Sequence, residues 1–222
     1  MKAMILAAGR GERMRPLTDS VPKPLLQAGG KPLIAWTIEA LVRAGFTELV
    51  INHAHLGERI EAALGDGSAW GASIRYSPEG AALETAGGIV KALPLLGEAF
   101  LVVNGDIYSD IDYRGLARLQ RGTELAHIVL VPNPPHNPSG DFALEGGRLR
   151  NRGEPMLTFS GIGVYRAELF RGLVTGEPAK LAPLLRAAAH RGRAGGGIHA
   201  GVWQDIGTPQ RLAKLDRMLG VT

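Results

Sequence analysis

The feature that most constrains this chain is a rhythm in its first half. Short, continuously apolar runs alternate with longer segments of helical periodicity. Residues 3–8 (AMILAA), 48–52 (ELVIN), 73–77 (SIRYS) and 99–103 (AFLVV) read as strands. Between them, residues 32–44, 56–64 and 85–96 carry apolar side chains at helical spacing. Pro32 sits near the first turn of the first of these helices and Gly45 just past its end, while Thr85 is the expected cap of the third. Strands apolar on both sides, joined by helical crossovers, make a mostly parallel sheet with helices on both faces. Ligands meet such sheets at the carboxyl ends of the strands. Residues 9–24 and 104–112, which follow the first and fourth strands, are therefore the places to look.

The second half is less regular. Residues 127–131 read as a strand, 133–140 as a proline-rich loop, and 142–149 and 157–164 as a hairpin or as strands of a mixed sheet. A helix is expected over 181–190, a short apolar segment surrounds Asp205, and Thr208-Pro209 starts a final helix that Gly220 ends. No repeat and no linker divides the chain, so a single domain over 1–222 is expected.

Composition excludes several functions. The chain has no cysteine, which removes disulfides, thiol catalysis and cysteine-based zinc sites. The apolar run near the N-terminus is too short for a signal-peptide core, and no segment approaches about 18 apolar residues, so a cytoplasmic location with no membrane partner is expected. Net charge is +4, and 19 of the 25 cations are arginine, which suits either solubility or an anionic ligand. Aromatics are only 5% and do not interleave with basic residues, which argues against nucleic acid and leaves small phosphates. A monomer acting on small molecules is the expectation.

The loop after the first strand departs from the familiar phosphate loops. Gly9-Arg-Gly-Glu-Arg-Met14 puts methionine where a dinucleotide fingerprint has its third glycine, and no Walker lysine follows. Gly9 and Gly11 still let the backbone bring N–H groups close to a phosphate. Arg13 adds a forked cation. Lys23, between Pro22 and Pro24, is a point charge on a stiffened loop. Taken singly, Arg13 and Lys23 would read as solvated charge, and so would at least one of Arg10 and Arg15.

The run Leu6-Ala7-Ala8-Gly9-x-Gly11-x-Arg13-Met14-x-Pro16-Leu17-Thr18, followed by Pro22-Lys23-Pro24-Leu25, resembles the sugar-1-phosphate nucleotidyltransferases. Ser77-Pro78-Glu79 with Leu83-Glu84-Thr85-Ala86-Gly87-Gly88 is similar to that family's base-recognition segment, although many members have glycine where Glu84 stands. Asn104-Gly105-Asp106 and Trp203-Gln-Asp205-Ile-Gly207-Thr208-Pro209 resemble its two metal-aspartate segments, so the motifs span residues 4 to 209. The resemblance implies a Rossmann-like, GT-A-like α/β fold, with 1–112 as the nucleotide half and 113–222 as the sugar-phosphate half.

It also implies a chemistry. A sugar-phosphate oxygen attacks the α-phosphorus of a nucleoside triphosphate, and pyrophosphate leaves. Both reactants are anions, so positioning and charge neutralisation dominate. The resemblance makes Arg13 and Lys23 the catalytic cations. Leu6, Ala8, Gly9, Gly11, Glu79, Gly87 and Asn104 become the nucleotide-binding residues. Asp106 and Asp205 become the ligands of a Mg²⁺ cofactor, for which hard oxygens are suited. On the sugar side it points to Gly140, Asp141, Glu154 and Lys180. Asp106 could instead be a turn residue, and Asp205 could merely precede a helix start. Asp110-x-Asp112 could serve a metal-dependent glycosyltransferase, or Asp112 could cap a helix over 113–120. His53-x-His55 reads as a turn, and Arg186, Arg191 and Arg193 as a solvated helix end.

Within the family, Asn52-His53-Ala-His55-Leu56 and Thr158-Phe-Ser-Gly-Ile-Gly-Val-Tyr165 resemble the uridylyltransferases of N-acetylmuramate α-1-phosphate. The substrates then expected are UTP and that sugar phosphate, in bacterial cell-wall recycling. Mannose-1-phosphate guanylyltransferases and glucose-1-phosphate thymidylyl- or uridylyltransferases are the alternatives. The lactyl carboxylate of muramate calls for a roomy or cationic pocket in the second half.

Overall fold

The computed structural model describes residues 1–121 and 124–220. In chain order the elements of the first half are β1 (Lys2–Leu6), α1 (Leu17–Ser20), β2 (Gln27–Ala28), β3 (Lys31–Pro32), α2 (Leu33–Arg43), β4 (Glu48–His53), α3 (Gly57–Leu64), β5 (Ser73–Pro78), α4 (Glu84–Leu96), β6 (Ala99–Asn104) and β7 (Ile107–Ser109). They continue with α5 (Tyr113–Ala117), β8 (Ala126–Val131), β9 (Phe142–Glu145), β10 (Arg148–Arg150), β11 (Met156–Arg166), α6 (Leu181–His190), β12 (Ala194–Ile198), β13 (Trp203–Asp205) and α7 (Pro209–Leu219).

Nine strands form one sheet in the order β5-β4-β1-β6-β11-β8-β12-β10-β9. Successive residues of β1 show why helices cover both faces. Ala3 and Ile5 pack with Ile34, Ile38 and Ile60 of α2 and α3, while Met4 points the other way, among Ile89 of α4 and Leu181 and Leu185 of α6. Each such fully buried large side chain contributes about 1.5–3 kcal/mol. A third cluster joins Met14 of the glycine loop to Leu33, Ile206 and Leu215, tying α7 to that loop.

The sheet is mixed, as expected, but less parallel than the expectation of a mostly parallel sheet. β5, β4, β1 and β6 are parallel, as is the pair β8–β12. β11, however, is inserted antiparallel between β6 and β8. It also pairs with β9, so β11, β8, β12, β10 and β9 close into a five-strand ring. Small residues permit this curvature. β11 carries a bulge between Phe159 and Gly163, where Gly161 has φ +80°. In β12, a Cβ at Gly196 would lie 3.0 Å from both the Ile128 carbonyl and Leu149.

Other differences are local. β9 and β10 form a hairpin where a single run over 142–149 was expected. Gly146 and Gly147 both have positive φ, the geometry of a two-residue type I′ turn. β12 was not anticipated, because Ala-Gly-Gly-Gly-Ile has the composition of a loop. α4 starts at Glu84, after Leu83, with no side-chain cap, so Thr85 is not its cap. The helix ending at Gly220 does have the expected cap, since the Thr208 hydroxyl accepts the Arg211 N–H.

Candidate active site

The carboxyl ends of β1, β4 and β6 open into a groove made of three adjoining pockets. The middle one, about 350 Å³, is lined by Leu6, Gly9, Gly11, Arg13, Lys23, Asn104 and Asp106, among others. Gly11 has φ +70°, and a Cβ there would lie 3.0 Å from the Thr18 methyl and 3.3 Å from Lys23 Cβ. Glycine is thus required by conformation and by space. The buried Thr18 hydroxyl donates to the Gly11 carbonyl at 2.9 Å and pins the loop. Arg13 is exposed, and its guanidinium lies against Gly207, where a Cβ would be 3.0 Å from it. Arg10 and Arg15 are taken up by acids of the same loop, Glu12 at 2.9 Å and Asp19 at 2.8 Å. Arg13 has no ion pair among the described residues, so its charge is available to a ligand.

A second pocket of about 280 Å³ lies beside it, lined by Leu6, Ala8, Gly9, Asn52, Glu79 and Glu84. A buried network forms its floor. The Asn52 amide donates to Glu79 at 2.6 Å, its oxygen accepts the Ala7 N–H at 2.9 Å, and the other Glu79 oxygen accepts the Leu83 N–H at 2.8 Å. A Cβ at Gly88 would overlap Glu79 and Asn52, so that glycine makes room for the network. Gly87 is placed differently from its expected role at the nucleotide. Its N–H donates to the Ala179 carbonyl at 3.1 Å, and it packs α4 against the segment before α6, outside the pocket lining. Asn52 was not singled out as a site residue. Its signal is a polar residue ending an otherwise apolar strand. Glu84 has φ +60° and lines two of the pockets, an unusual conformation for a side chain-bearing residue.

Asp106 and Asp205 come from distant segments brought together by a small ribbon. β7 and β13 pair antiparallel with Asp205 opposite Ile107, and the Ile206 N–H donates to the Asp106 carbonyl at 2.8 Å. Each carboxylate faces a cation. Lys23 Nζ lies 2.5 Å from Asp106, and Arg211 lies 2.5 Å from Asp205, with His136 Nε2 at 3.3 Å. Arg211 and His136 were not anticipated, because nothing local marks them. The donor set fits a hard divalent cation. Carboxylates are the hard oxygen donors such an ion takes, and each is balanced here by a cation. Asp106 lines the middle pocket, whereas Asp205, with His136 and Arg211, lines a neighbouring pocket of about 470 Å³. Among the described residues no cluster of three or more His, Cys, Asp or Glu has metal spacing, so the remaining ligands would come from substrate and water.

The aspartate pair considered for a glycosyltransferase sits elsewhere. Asp110 pairs with His199 at 2.9 Å, and Asp112 caps α5 by accepting the Arg114 N–H at 3.0 Å. The two line a separate depression with Arg43 and Arg114. His53 is buried against Glu61 at 2.6 Å, and His55 meets the Thr18 carbonyl at 3.0 Å, so neither faces a metal site. Arg193 is paired with Glu168 at 2.8 Å at the surface, where both side chains stay partly exposed.

The third pocket, about 300 Å³, extends from Asn104 to α6 and includes Asp141 and Lys180. Asp141 accepts the Phe159 N–H at 2.8 Å and the Asn137 amide at 3.0 Å. Gly140, with φ +63°, makes the preceding turn. Glu154 is exposed on the loop before β11 and is not part of this pocket's lining.

Comparisons with known proteins agree with this geometry. The Nucleotidyl transferase family model matches residues 2–142. The N-acetylmuramate alpha-1-phosphate uridylyltransferase of Neisseria meningitidis is 57% identical over 99% of both chains. The mannose-1-phosphate guanyltransferase beta-A of Xenopus laevis is 30% identical over 95% of this chain, which spans 62% of that longer relative. Among solved structures, a Bacillus anthracis protein assigned as a glucose-1-phosphate thymidylyltransferase superposes with a TM-score of 0.86 over 99% of this chain and 95% of its own, at 22% identity, which speaks to the fold alone. With the family model, the whole-length relative and the shared fold in agreement, this chain belongs to the nucleotidyl transferase family.

Proposed function

We propose that this chain transfers a uridylyl group from UTP to N-acetylmuramate α-1-phosphate, giving UDP-N-acetylmuramate and pyrophosphate. The observation that carries this reading is the 57% identity, over 99% of both chains, to the Neisseria enzyme of that name. The product would return a cell-wall amino sugar to nucleotide-activated form. A cytoplasmic location follows from that role. Among the described residues no helix is long and apolar enough to cross a membrane.

The groove suggests how the chain's residues serve the reaction. The backbone around Gly9 and Gly11 lets the triphosphate approach closely. Arg13, without an ion pair among the described residues, clamps the β- and γ-phosphates and stabilises the leaving pyrophosphate. Lys23 lies on the floor of the middle pocket, between the nucleotide and sugar pockets, where it offsets the repulsion between the α-phosphate and the attacking phosphate. Glu79, oriented by Asn52 and Leu83, presents a hydrogen-bond acceptor to a base N–H. Asp106 and Asp205 would hold Mg²⁺, which supplies charge neutralisation at the phosphates when bound. Residues 1–112 then carry the nucleotide and 113–222 the sugar phosphate, except that the segment from β13 to α7 returns beside Asp106 and puts Gly207 on the wall of the cleft.

A panel of nucleoside triphosphates crossed with sugar 1-phosphates, read by pyrophosphate release, tests the assignment. The expected result is highest kcat/KM for UTP with N-acetylmuramate 1-phosphate. Turnover of GTP with mannose 1-phosphate, and none with the muramate pair, overturns it.

A further inference from the structure

We propose that Arg186 and Lys180 form a carboxylate-recognition subsite at the sugar end of the groove, selecting a sugar with a lactyl ether over the same sugar without it. The inference rests on the acceptor named above and assigns the residues that would distinguish it.

Both cations line the third pocket from α6 and the residue before it. The Arg186 guanidinium lies 5.1 Å from the centroid of the Phe142 ring, and that ring is only 2% exposed, so the platform beneath it is fixed. Stacking orients the fork but uses none of its N–H donors. Neither Arg186 nor Lys180 forms an ion pair among the described residues. Their neighbours Arg148, Arg150 and Arg193 are held by Glu124, Glu145 and Glu168.

The acids lining the same pocket do not neutralise this pair. Asp141 is turned to the Phe159 N–H and the Asn137 amide. Glu84 lines both the sugar and base pockets from the start of α4, whose backbone bonds to Ala179, and it pairs with neither cation among the described residues. Beside the two cations the wall is apolar, with Phe159, Leu181 and Leu185, while Thr85 and Asn104 also line the pocket. A lactyl group needs a cation for its carboxylate and a dry surface for its methyl, and this corner offers both. The sugar phosphate itself is directed to Lys23, so the cations of α6 are left for a second anionic group on the sugar.

The test compares two acceptors that differ only by the lactyl ether, N-acetylmuramate 1-phosphate and N-acetylglucosamine 1-phosphate, with UTP and Mg²⁺. The quantity read is the ratio of their kcat/KM values within one preparation, which cancels any loss of folded enzyme. Arg186→Met, which keeps the aliphatic stem over Phe142, is expected to lower that ratio about 10–100-fold, mainly through KM for the muramate substrate. Arg186→Lys is expected to fall between Met and wild type, and Lys180→Met to give a smaller drop than Arg186→Met. Where the acceptor without the lactyl group turns over too slowly, the ratio of dissociation constants of the two sugar phosphates, from calorimetry, is compared between variants instead. A ratio unmoved in Arg186→Met, or equal losses for both sugars, overturns the subsite and leaves the proposed reaction standing. A wild-type enzyme inactive on the muramate substrate, but active on another sugar phosphate, overturns both.

Discussion

The two ends of the groove are built in opposite ways. At the nucleotide end, parallel strands stop together and deliver a glycine loop, Asn104 and Asp106 to one place. Local sequence carries most of that arrangement, because each functional residue lies within a few positions of a strand end. At the sugar end a closed ring of strands, mostly antiparallel, draws on residues 141, 159, 180 and 186, which share no sequence neighbourhood. The nucleotide end is built of backbone held over a buried network of Asn52, Glu79 and the Ala7 and Leu83 N–H groups. The sugar end uses side chains from several elements, and it is where members of one family can differ in acceptor.

If this division is right, the largest effects belong to the nucleotide end and fall on all substrates alike. Lys23→Met is expected to lower kcat on the order of 10²–10³-fold for any sugar phosphate. Asp205→Asn should abolish Mg²⁺-dependent pyrophosphate release while circular dichroism shows the fold intact. Because Lys23 and Asp106 are paired, Lys23→Met with Asp106→Asn should lose far less than the product of the single losses. Additive losses would mean that the two residues act separately.

A smaller effect should come from the buried network. Asn52→Ala strands the Ala7 N–H and one side of Glu79, which should cost about 1–3 kcal/mol in denaturant unfolding and raise KM for the nucleotide, not for the sugar. A change in sugar KM of the same size would blur the proposed boundary.

Glu84→Gly sits on that boundary. It removes a left-handed non-glycine residue but also a helix-first-turn acid, so a net gain of about 0.5 kcal/mol is expected from thermal unfolding. The same variant should lose activity, since the carboxylate faces two pockets. Unchanged activity would make Glu84 a spectator.

The smallest effect lies far from the groove. The Arg193 hydrogen bond holds the Glu168 carboxyl below the usual range, with further attraction from Arg193, Arg171 and Arg166. A depressed carboxylate stabilises the fold above its unfolded pKa and loses that contribution as pH falls through the folded value. Glu168→Gln should therefore lower Tm slightly at pH 7, and the gap should close well below pH 4. A gap that persists in acid would point to packing instead of charge.

Periodicity made the parallel half legible from residues alone, and strand-end position pointed to residues 9–24 and 104–112, whereas the roles expected of Arg13, Lys23, Asp106 and Asp205 came from the family resemblance. The sequence also placed Thr208 as a helix cap and Asp112 as a possible one. It did not show that Gly87 leaves room for the 177–179 segment packed against it. It passed over β12, where glycine serves curvature instead of a loop. What this chain determined by itself is a fold for joining two phosphates, because glycine, lysine, arginine and aspartate act there through local backbone geometry and charge. What only tertiary structure decided is which side chains share a pocket. Asn52 under Glu79, Arg211 and His136 beside Asp205, and Arg186 over Phe142 are juxtapositions made by sheet closure and helix packing across long stretches of chain.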